Sequence, residues 1–236
     1  ITTLYAFSFW DLAKQGPMVV DVPAGLTAGG VMDIWQQPIT DMGQTGPDKG
    51  KGGKYLWADP DRVEAMREWL SVQEGERVIG LSWRSSNPET GAARSLALSD
   101  LVKSLQAPGV RFVNLQYGDV AAEIEALERD EGIKVLQCPG LDTTDDLDGL
   151  AAWIEACDEV VSIGNATAHL AGALGKKTTV LLPKLGVKAA GNKVIPGWRW
   201  LGQPSTCLWY DSVSLYRIHA NENDWAGALG RLSVSR

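Results

Sequence analysis

The sequence predicts an α/β fold with a doubly wound parallel sheet. From residue 55 onward, short apolar runs with the two-residue period of strands alternate with runs whose apolar positions recur at the spacing of a helix face. The turns between them are short, so we expect parallel strands joined by right-handed crossovers through the helices. The 236 residues, 44% of them hydrophobic, suffice for one full-sized core and a small appendage. We therefore predict a β-rich segment at residues 1–54 and the α/β domain at residues 55–236.

The elements of the α/β domain follow in a regular order. A helix starts with Asp59 as its cap and Pro60 in its first turn. Strands are predicted at residues 78–83, 111–116, 134–136, 159–163 and 178–182. The helices between them are predicted at residues 96–105, 120–127 and 147–154 and from Thr167, and a closing helix is marked by Trp225, Leu229 and Leu232. With the usual strand order 3-2-1-4-5, strands one and four lie side by side.

The first 54 residues have a different pattern. Residues 5–12 and 18–22 are hairpin candidates around a turn at residues 15–17, and residues 31–35 form a third strand candidate. The glycine- and lysine-rich stretch before Tyr55 is interpreted as an exposed linker, with a phosphate-binding loop as the alternative.

The turn after strand four carries the strongest functional signal. An apolar strand ends at Gly164, and Asn165 or Thr167 can cap the helix that follows, which also contains Ala166 and His169. The free N–H groups and the positive dipole end of such a helix attract anions. The sequence therefore predicts an anion site here, and a diphosphate fits it best.

Other polar residues follow the neighbouring strands. Because ligands bind where adjacent strands of an open sheet send their chains in opposite directions, these residues are expected to converge with the turn at Gly164. The candidates are Trp83, Arg84 and Ser85 after strand one, Arg94 returning to the same edge, and Gln116 and Gly118 after strand two. The guanidinium groups of Arg84 and Arg94 match phosphate oxygens, although both residues could equally be solvated surface residues. His169 could likewise be a helix-side histidine without a ligand.

Composition excludes several classes of function. A formal net charge of −7 argues against a nucleic-acid surface, so the partner is expected to be a small molecule. Cys138, Cys157 and Cys207 are odd in number and widely spaced, which indicates free thiols in a reducing cytoplasm rather than a disulfide or metal set. No membrane-spanning run is present in the sequence, and we expect no metal and no cofactor. A dinucleotide-binding glycine motif does not follow strand one, which weakens a dehydrogenase interpretation.

Several motifs together resemble one family of enzymes. They are residues 55–60, 80–84, 115–118, 168–175, 198–200 and 208–210. Residues 55–236 resemble the C-terminal, donor-binding domain of heptosyltransferase-like bacterial glycosyltransferases, including those that follow tetratricopeptide repeats. The resemblance implies the Rossmann-like C-terminal half of a GT-B enzyme, inverting and metal-independent if active, that holds a nucleotide-diphospho-sugar. It also implies that Arg94 and the turn before His169 contact the diphosphate.

Gly164 departs from this pattern, because aspartate is usual there in the resembled family. Replacement of Gly164 by aspartate is expected to steady the turn. Residues 1–56 resemble part of an uncharacterised bacterial β-rich domain family of unknown function, and the two resemblances meet at residues 54–56. The chain is therefore interpreted as chimeric.

The resulting expectation is a nucleotide-diphospho-sugar-binding domain that is incomplete for catalysis. In the resembled enzymes, the acceptor site and the catalytic base lie in an N-terminal half, so a partner domain or a second copy of the chain would supply them. Two alternatives remain at this point. One is a non-catalytic nucleotide-binding module, and the other is a structural fusion protein without a ligand.

Overall fold

The computed structural model describes residues 18–22, 24–25, 28–32, 38–45, 49–57, 60–183, 187–188, 194–195, 200, 205–218 and 225–234. The chain divides into two compact units, Ile1–Asp59 and Pro60–Arg236.

The first unit contains four strands among its described residues. They are β1 (Met18–Val22), β2 (Ala28–Met32), β3 (Pro38–Gly43) and β4 (Gly53–Trp57). β1 pairs antiparallel with β4, and β2 pairs antiparallel with β3 with an irregularity between Val31 and Met32. Residues 5–12, the predicted hairpin partner of β1, lie outside the described residues. The predicted strand at residues 31–35 is described as β2, which starts earlier, and residues 33–35 are not described.

The stretch before Tyr55 leads directly into a paired strand. Gly50 and Gly52 have positive φ values of 76° and 83°, which glycine adopts without steric cost, and β4 begins immediately afterwards. The backbone of Tyr55 pairs with that of Val20 in β1. The boundary expected between residues 54 and 55 thus falls inside β4, because the tyrosine–leucine–tryptophan run continues the ladder of the first unit.

The second unit is built on a six-stranded parallel sheet. Its strands are β5 (Arg77–Ser82), β6 (Val110–Asn114), β7 (Val135–Leu136), β8 (Glu159–Ile163), β9 (Thr178–Leu182) and β12 (Val213–Arg217), in the order β12-β9-β8-β5-β6-β7. A two-residue pair, β10 (Val187–Lys188) and β11 (Val194–Ile195), lies outside this sheet. All neighbours within the six-stranded sheet are parallel. The α/β fold with a doubly wound parallel sheet is confirmed, as is the expected order of its first five strands.

Helices cover both faces of the sheet. They are α1 (Pro60–Leu70), α2 (Gly91–Arg94), α3 (Leu98–Leu105), α4 (Ala121–Glu131), α5 (Leu147–Ala156), α6 (Ala166–Ala173) and α7 (Ala226–Val234). One core cluster joins α3, α4 and α7 to the sheet, and a second joins α1 and α5 to the opposite face. In β5, Ile79 belongs to the first cluster and Val78 to the second. Such strands are apolar on both sides, which explains their continuous hydrophobic runs.

Several described elements are not among those that the sequence predicts: β3, β4, β10, β11, β12 and α2. The edge strand β12 alternates between buried Val213 and Leu215 and exposed Ser214, a regular strand pattern of five residues. It follows a long stretch without clear periodicity, so its pattern was too short to stand out. The short helix α2 lies in the segment between β5 and α3, and it carries Arg94 at its end.

An ion pair joins the start of α1 to the start of α5. Asp146 caps α5 by accepting a hydrogen bond from the Gly149 amide at 2.8 Å. Its two carboxylate oxygens accept from the Arg62 guanidinium at 2.5 and 3.1 Å, and Asp148 accepts from the same group at 3.0 Å. The hydrogen bonds from Arg62 hold the pKa of Asp146 below its usual value of 3.8. This arrangement fixes the register of the two helices.

We expect Asp146→Asn to reduce stability at neutral pH by about 1 kcal/mol, since both partners are about one-third exposed and solvent screens the pair. Asparagine is an equally good helix cap, so the substitution removes mainly the charge. Because the pKa of Asp146 is lowered in the folded state, its contribution is present above pH 3.8 and disappears as the pH falls through the lower folded value. Urea unfolding of both proteins across this range should show their difference shrinking in acid.

Asp130→Asn is the matched control, because Asp130 pairs on the surface with its chain neighbour Arg129. It should leave stability unchanged at both ends of the pH range. A wild-type advantage over Asp146→Asn that persists undiminished in strong acid would contradict the assigned role of this carboxylate.

Candidate functional site

The carboxyl ends of β5 and β8 lie side by side at the point where the sheet changes direction. Ser82 of β5 stands opposite Ser162 of β8 in the parallel ladder. From β5 the chain crosses through α3 to β6, whereas from β8 it crosses through α6 to β9 on the other side. A crevice forms above such diverging strands. The structure therefore places the turn at Gly164 beside the segment that follows β5.

Asn165 is the cap of α6. Its side-chain oxygen accepts from the Ala168 amide at 3.2 Å and from the Ser162 hydroxyl at 3.0 Å. Thr167, the alternative cap, is buried and donates its hydroxyl to the Leu115 carbonyl at 3.4 Å. Ala166, the first helical residue, is exposed. The positive end of α6 is thus formed around Asn165.

The Gln116 side chain accepts hydrogen bonds from the backbone N–H groups at the end of β5. Its side-chain oxygen accepts from the Trp83 and Arg84 amides at 2.9 and 2.7 Å and from the Ser82 hydroxyl at 3.1 Å. The side-chain nitrogen of Gln116 donates to the Tyr117 carbonyl at 3.0 Å. These two successive backbone amides at the end of β5 therefore already have an acceptor within the protein.

The side chains of Trp83 and Arg84 make their described contacts with residues at the start of α4. The Trp83 side chain is fully buried in the core, and its indole N–H donates to Glu123 at 3.0 Å. The Arg84 guanidinium donates to the Asp119 carbonyl at 3.2 Å and lies 3.5 Å from the Glu123 carboxylate. Both side chains are therefore tied to the start of α4, and Glu123 is a partner that the sequence reasoning missed.

Arg94 is placed at the turn. Its guanidinium donates a hydrogen bond to the Gly164 carbonyl, from the end of the short helix α2. Ser85 lies near the same segment, and its amide donates to the Ser95 hydroxyl at 2.9 Å. A Cβ added at Gly91 would lie 2.5 Å from the Ser85 carbonyl oxygen, so only glycine permits this close approach. In this arrangement of the loop after β5, Arg94 reaches the turn at Gly164.

Trp200 is the largest part of the site that sequence reasoning left out. Its indole nitrogen would be 2.6 Å from a Cβ built on Gly164, so the tryptophan fills the space beside that glycine. The Trp200 ring also stacks on the His169 ring, with centroids 4.6 Å apart and planes 12° from parallel, and Tyr210 meets His169 edge-on at 6.0 Å. His169 is half-buried in this aromatic group. The signal in the sequence was the aromatic motif at residues 198–200.

The end of β6 contributes an exposed turn. Gly118 has a φ of 78° and no atom within 4 Å of an added Cβ, so it serves the turn rather than a close approach. The Tyr117 hydroxyl accepts from the Ser86 amide at 3.1 Å. This contact links the turn to the loop after β5. Gly118 is thus near the crevice by topology, without a contact to Arg94 or the Gly164 turn among the described hydrogen bonds.

Within the described part of the chain, no group of three or more histidine, cysteine, aspartate or glutamate side chains is arranged to hold a metal ion. The three cysteines are free; Cys157 is buried, and burial raises the pKa of its thiol. None of the described helices combines the length and the apolar character needed to cross a membrane.

Two comparisons concern sequence. Residues 1–88 match a family model described as "Protein of unknown function (DUF1254)", which extends beyond residues 1–56 through β5 into the segment after it. The protein FlbA of Caulobacter vibrioides (strain ATCC 19089 / CIP 103742 / CB 15) is 31% identical over 186 residues. The aligned region is 78% of this chain and 29% of FlbA, so the chain spans less than a third of that curated relative.

Solved structures with a similar arrangement include two transferases and a polymerase. A glycosyl transferase family 9 structure from Veillonella parvula DSM 2008 has a TM-score of 0.40 and 14% identity over 56% of this chain and 37% of that chain. E. coli ADP-heptose lps heptosyltransferase II has a TM-score of 0.47 and 15% identity, over 76% of this chain and 53% of that chain. A variant of the wall teichoic acid polymerase TagF has a TM-score of 0.33 and 14% identity, over 52% of this chain and 29% of that chain. The chain is similar to part of each of these proteins.

Proposed function

We propose that the Pro60–Arg236 unit binds a nucleoside diphosphate, and its sugar conjugate, at the turn between β8 and α6. One observation carries the proposal. At the point where the sheet changes direction, the Arg94 guanidinium donates a hydrogen bond to the Gly164 carbonyl, in the turn just before the Asn165 cap of α6. A planar guanidinium fork and a helix N-terminus are both suited to phosphate oxygens.

The charges at the helix starts support this location. The first turns of α3, α4 and α5 contain Asp100, Glu123 and Asp148, whereas those of α2, α6 and α7 contain no acidic residue. Of the three helices without one, α6 is the helix that begins directly after a strand of the sheet. An acidic side chain in the first turn satisfies the positive end of a helix dipole. At α6 that end is left for an external anion, with the Arg94 cation beside it.

The nucleotide-sugar class comes from the sequence motifs rather than from the fold. Residues 115–118 and 168–175, which resemble donor-binding glycosyltransferase domains, form the turn after β6 and the helix α6. The turn after β6 and the start of α6 lie at the carboxyl edge of the sheet. In such a reaction the leaving diphosphate would be stabilised electrostatically by Arg94 and the helix end.

We expect Arg94→Ala to weaken nucleoside diphosphate binding by about ten- to a hundredfold, because a charge-assisted hydrogen bond contributes about 1.5–3 kcal/mol. Isothermal titration with ADP, UDP, GDP and ADP-heptose measures the effect; the last is included because one of the similar structures is an ADP-heptose heptosyltransferase. The titrations are repeated in EDTA, which removes divalent cations. They then test whether the positive charge that neutralises the diphosphate comes from the protein alone.

Arg129→Ala is the matched control. It removes the same charge, but Arg129 is 69% exposed and pairs with Asp130 in the last turn of α4. Its affinity should equal that of the wild type. Equal affinity for Arg94→Ala and the wild type would place the ligand elsewhere.

We further propose that the 236 residues bind the donor without transferring the sugar. The described residues contain one parallel sheet, with one set of carboxyl strand ends at which the donor would bind. Transfer also requires an acceptor and a base held on the opposite face of the sugar. Release of nucleoside diphosphate from a donor panel with generic acceptors measures turnover. Multiple turnovers above the background without enzyme would show that an acceptor site and a base exist within this chain.

A further inference from the structure

The hydroxyl of Ser82 lies between the two sides of the crevice. Ser82 is the last residue of β5 and is fully buried. Its hydroxyl oxygen accepts a hydrogen bond from the side-chain amide of Asn165 at 2.7 Å, and its O–H donates to the side-chain oxygen of Gln116 at 3.1 Å. One hydroxyl thus connects residues that follow β8 and β6, the two neighbours of β5.

Both partners of Ser82 have a fixed orientation. The oxygen of the Asn165 side chain is needed by the Ala168 amide, so its nitrogen has to face Ser82. The oxygen of the Gln116 side chain is needed by the backbone amide of Arg84, and its nitrogen donates to the Tyr117 carbonyl. A flip of either amide would place two donors or two acceptors against each other.

We propose that Ser82 is a positioning residue for the anion site: its buried hydroxyl holds the Asn165 cap, and with it the start of α6, at a fixed distance from the segment after β5. This inference rests on the proposed nucleoside diphosphate site. Ser82 itself is too deeply buried to touch the ligand. Its effect on binding is exerted through Asn165.

Removal of the hydroxyl leaves the side-chain nitrogen of the half-buried Asn165 without its acceptor, and we expect the cap to reorient. Ser82→Ala is therefore expected to weaken ADP and UDP binding by about tenfold, the loss that corresponds to one hydrogen bond. The Ala168 amide should also exchange its hydrogen faster, in the absence of any ligand, because its acceptor is no longer held in place.

The experiment compares the dissociation constants of the full chain and its variants for ADP and UDP, at a temperature where each protein is fully folded. Under these conditions a purely structural role lowers the unfolding temperature without changing affinity. Thr178→Val is the matched control, because it also removes a buried hydroxyl. Thr178 lies at the amino end of β9, away from the carboxyl ends of the strands, and donates to the Lys176 carbonyl. Should Ser82→Ala not fold, Ser82→Cys retains a weak donor and acceptor at the same position and is measured in its place.

The expected result is weaker binding and faster Ala168 exchange in the Ser82 variant, with neither change in Thr178→Val. Affinity within twofold of the wild type, together with unchanged Ala168 exchange, would overturn the positioning role and leave the proposed function standing. Absence of ADP and UDP binding in the wild type would overturn the proposed function instead. In that case Ala168 exchange decides whether Ser82 orders the turn.

Discussion

Replacement of Gly164 by aspartate is expected to destabilise the Pro60–Arg236 unit by about 3 kcal/mol or more, contrary to the steadier turn expected from the resembled family. The backbone of Gly164 is not in the left-handed region, so the obstacle is space. A Cβ would lie 2.6 Å from the indole nitrogen of Trp200 and 2.9 Å from a methyl carbon of Leu182. Overpacking of this kind costs about 1–3 kcal/mol, and a carboxylate at a buried position adds a desolvation cost.

Thermal and urea unfolding measure the effect of Gly164→Asp, and Gly230→Asp is its control. Gly230 lies in α7 with nothing within 4 Å of an added Cβ, so a carboxylate there should change stability by less than about 1 kcal/mol. In a Trp200→Leu background the cost of Gly164→Asp should fall, because the clash is with the indole. A cost that is unchanged in that background would show that Trp200 is not the obstacle.

Asn165→Asp is expected to preserve the fold and to weaken nucleoside diphosphate binding by about a hundredfold or more. Aspartate caps a helix as well as asparagine does, and its charge suits a helix start, so the loss of the hydrogen bond to Ser82 is largely offset. A diphosphate at the same helix end would meet a like charge, and two unit charges about 4 Å apart repel by about 4 kcal/mol at an effective dielectric constant of about 20.

Asn165→Ser separates the charge from the hydrogen bond, since it also loses the donor to Ser82 but remains neutral. Titration of both variants with ADP and UDP should show the aspartate variant binding far more weakly than the serine variant, and the gap should narrow as salt is added. Equal affinities for the two variants would mean that no anion lies near Asn165.

The sheet was predictable because its strands are buried on both faces. The strands β8 and β9 are buried at every position and rich in valine, isoleucine and leucine, a composition typical of parallel strands, and the short turns fix the handedness of the crossovers. In β12 the alternate residues Val213 and Leu215 are buried and Ser214 between them is exposed, and the residues before the strand have no periodic pattern. Its place at the edge depends on pairing with β9, a tertiary contact that local pattern does not contain.

The site was predictable at the level of strand ends but not of side-chain partners. Arg94 and the Gly164 turn come together because both follow strands that are adjacent in the sheet. The attachment of Arg84 to Glu123 could not be anticipated, since the direction of a long side chain depends on which carboxylate is nearest in the folded chain. Trp200 is distant from Gly164 in sequence, and its role depends on the absence of a side chain there.

The closing helix has a consequence for how this protein is made. The Trp225 indole donates to the Ser95 carbonyl at 3.0 Å, and Leu229 and Leu232 share a core cluster with Leu98 near the beginning of the sheet. Contacts of such long sequence separation form late and slow the folding of a domain. During translation, the surface of α3 that Leu229 and Leu232 later cover remains open to solvent until residues 225–234 have left the ribosome. A nascent chain stalled before that point would expose apolar surface and become a substrate for chaperones.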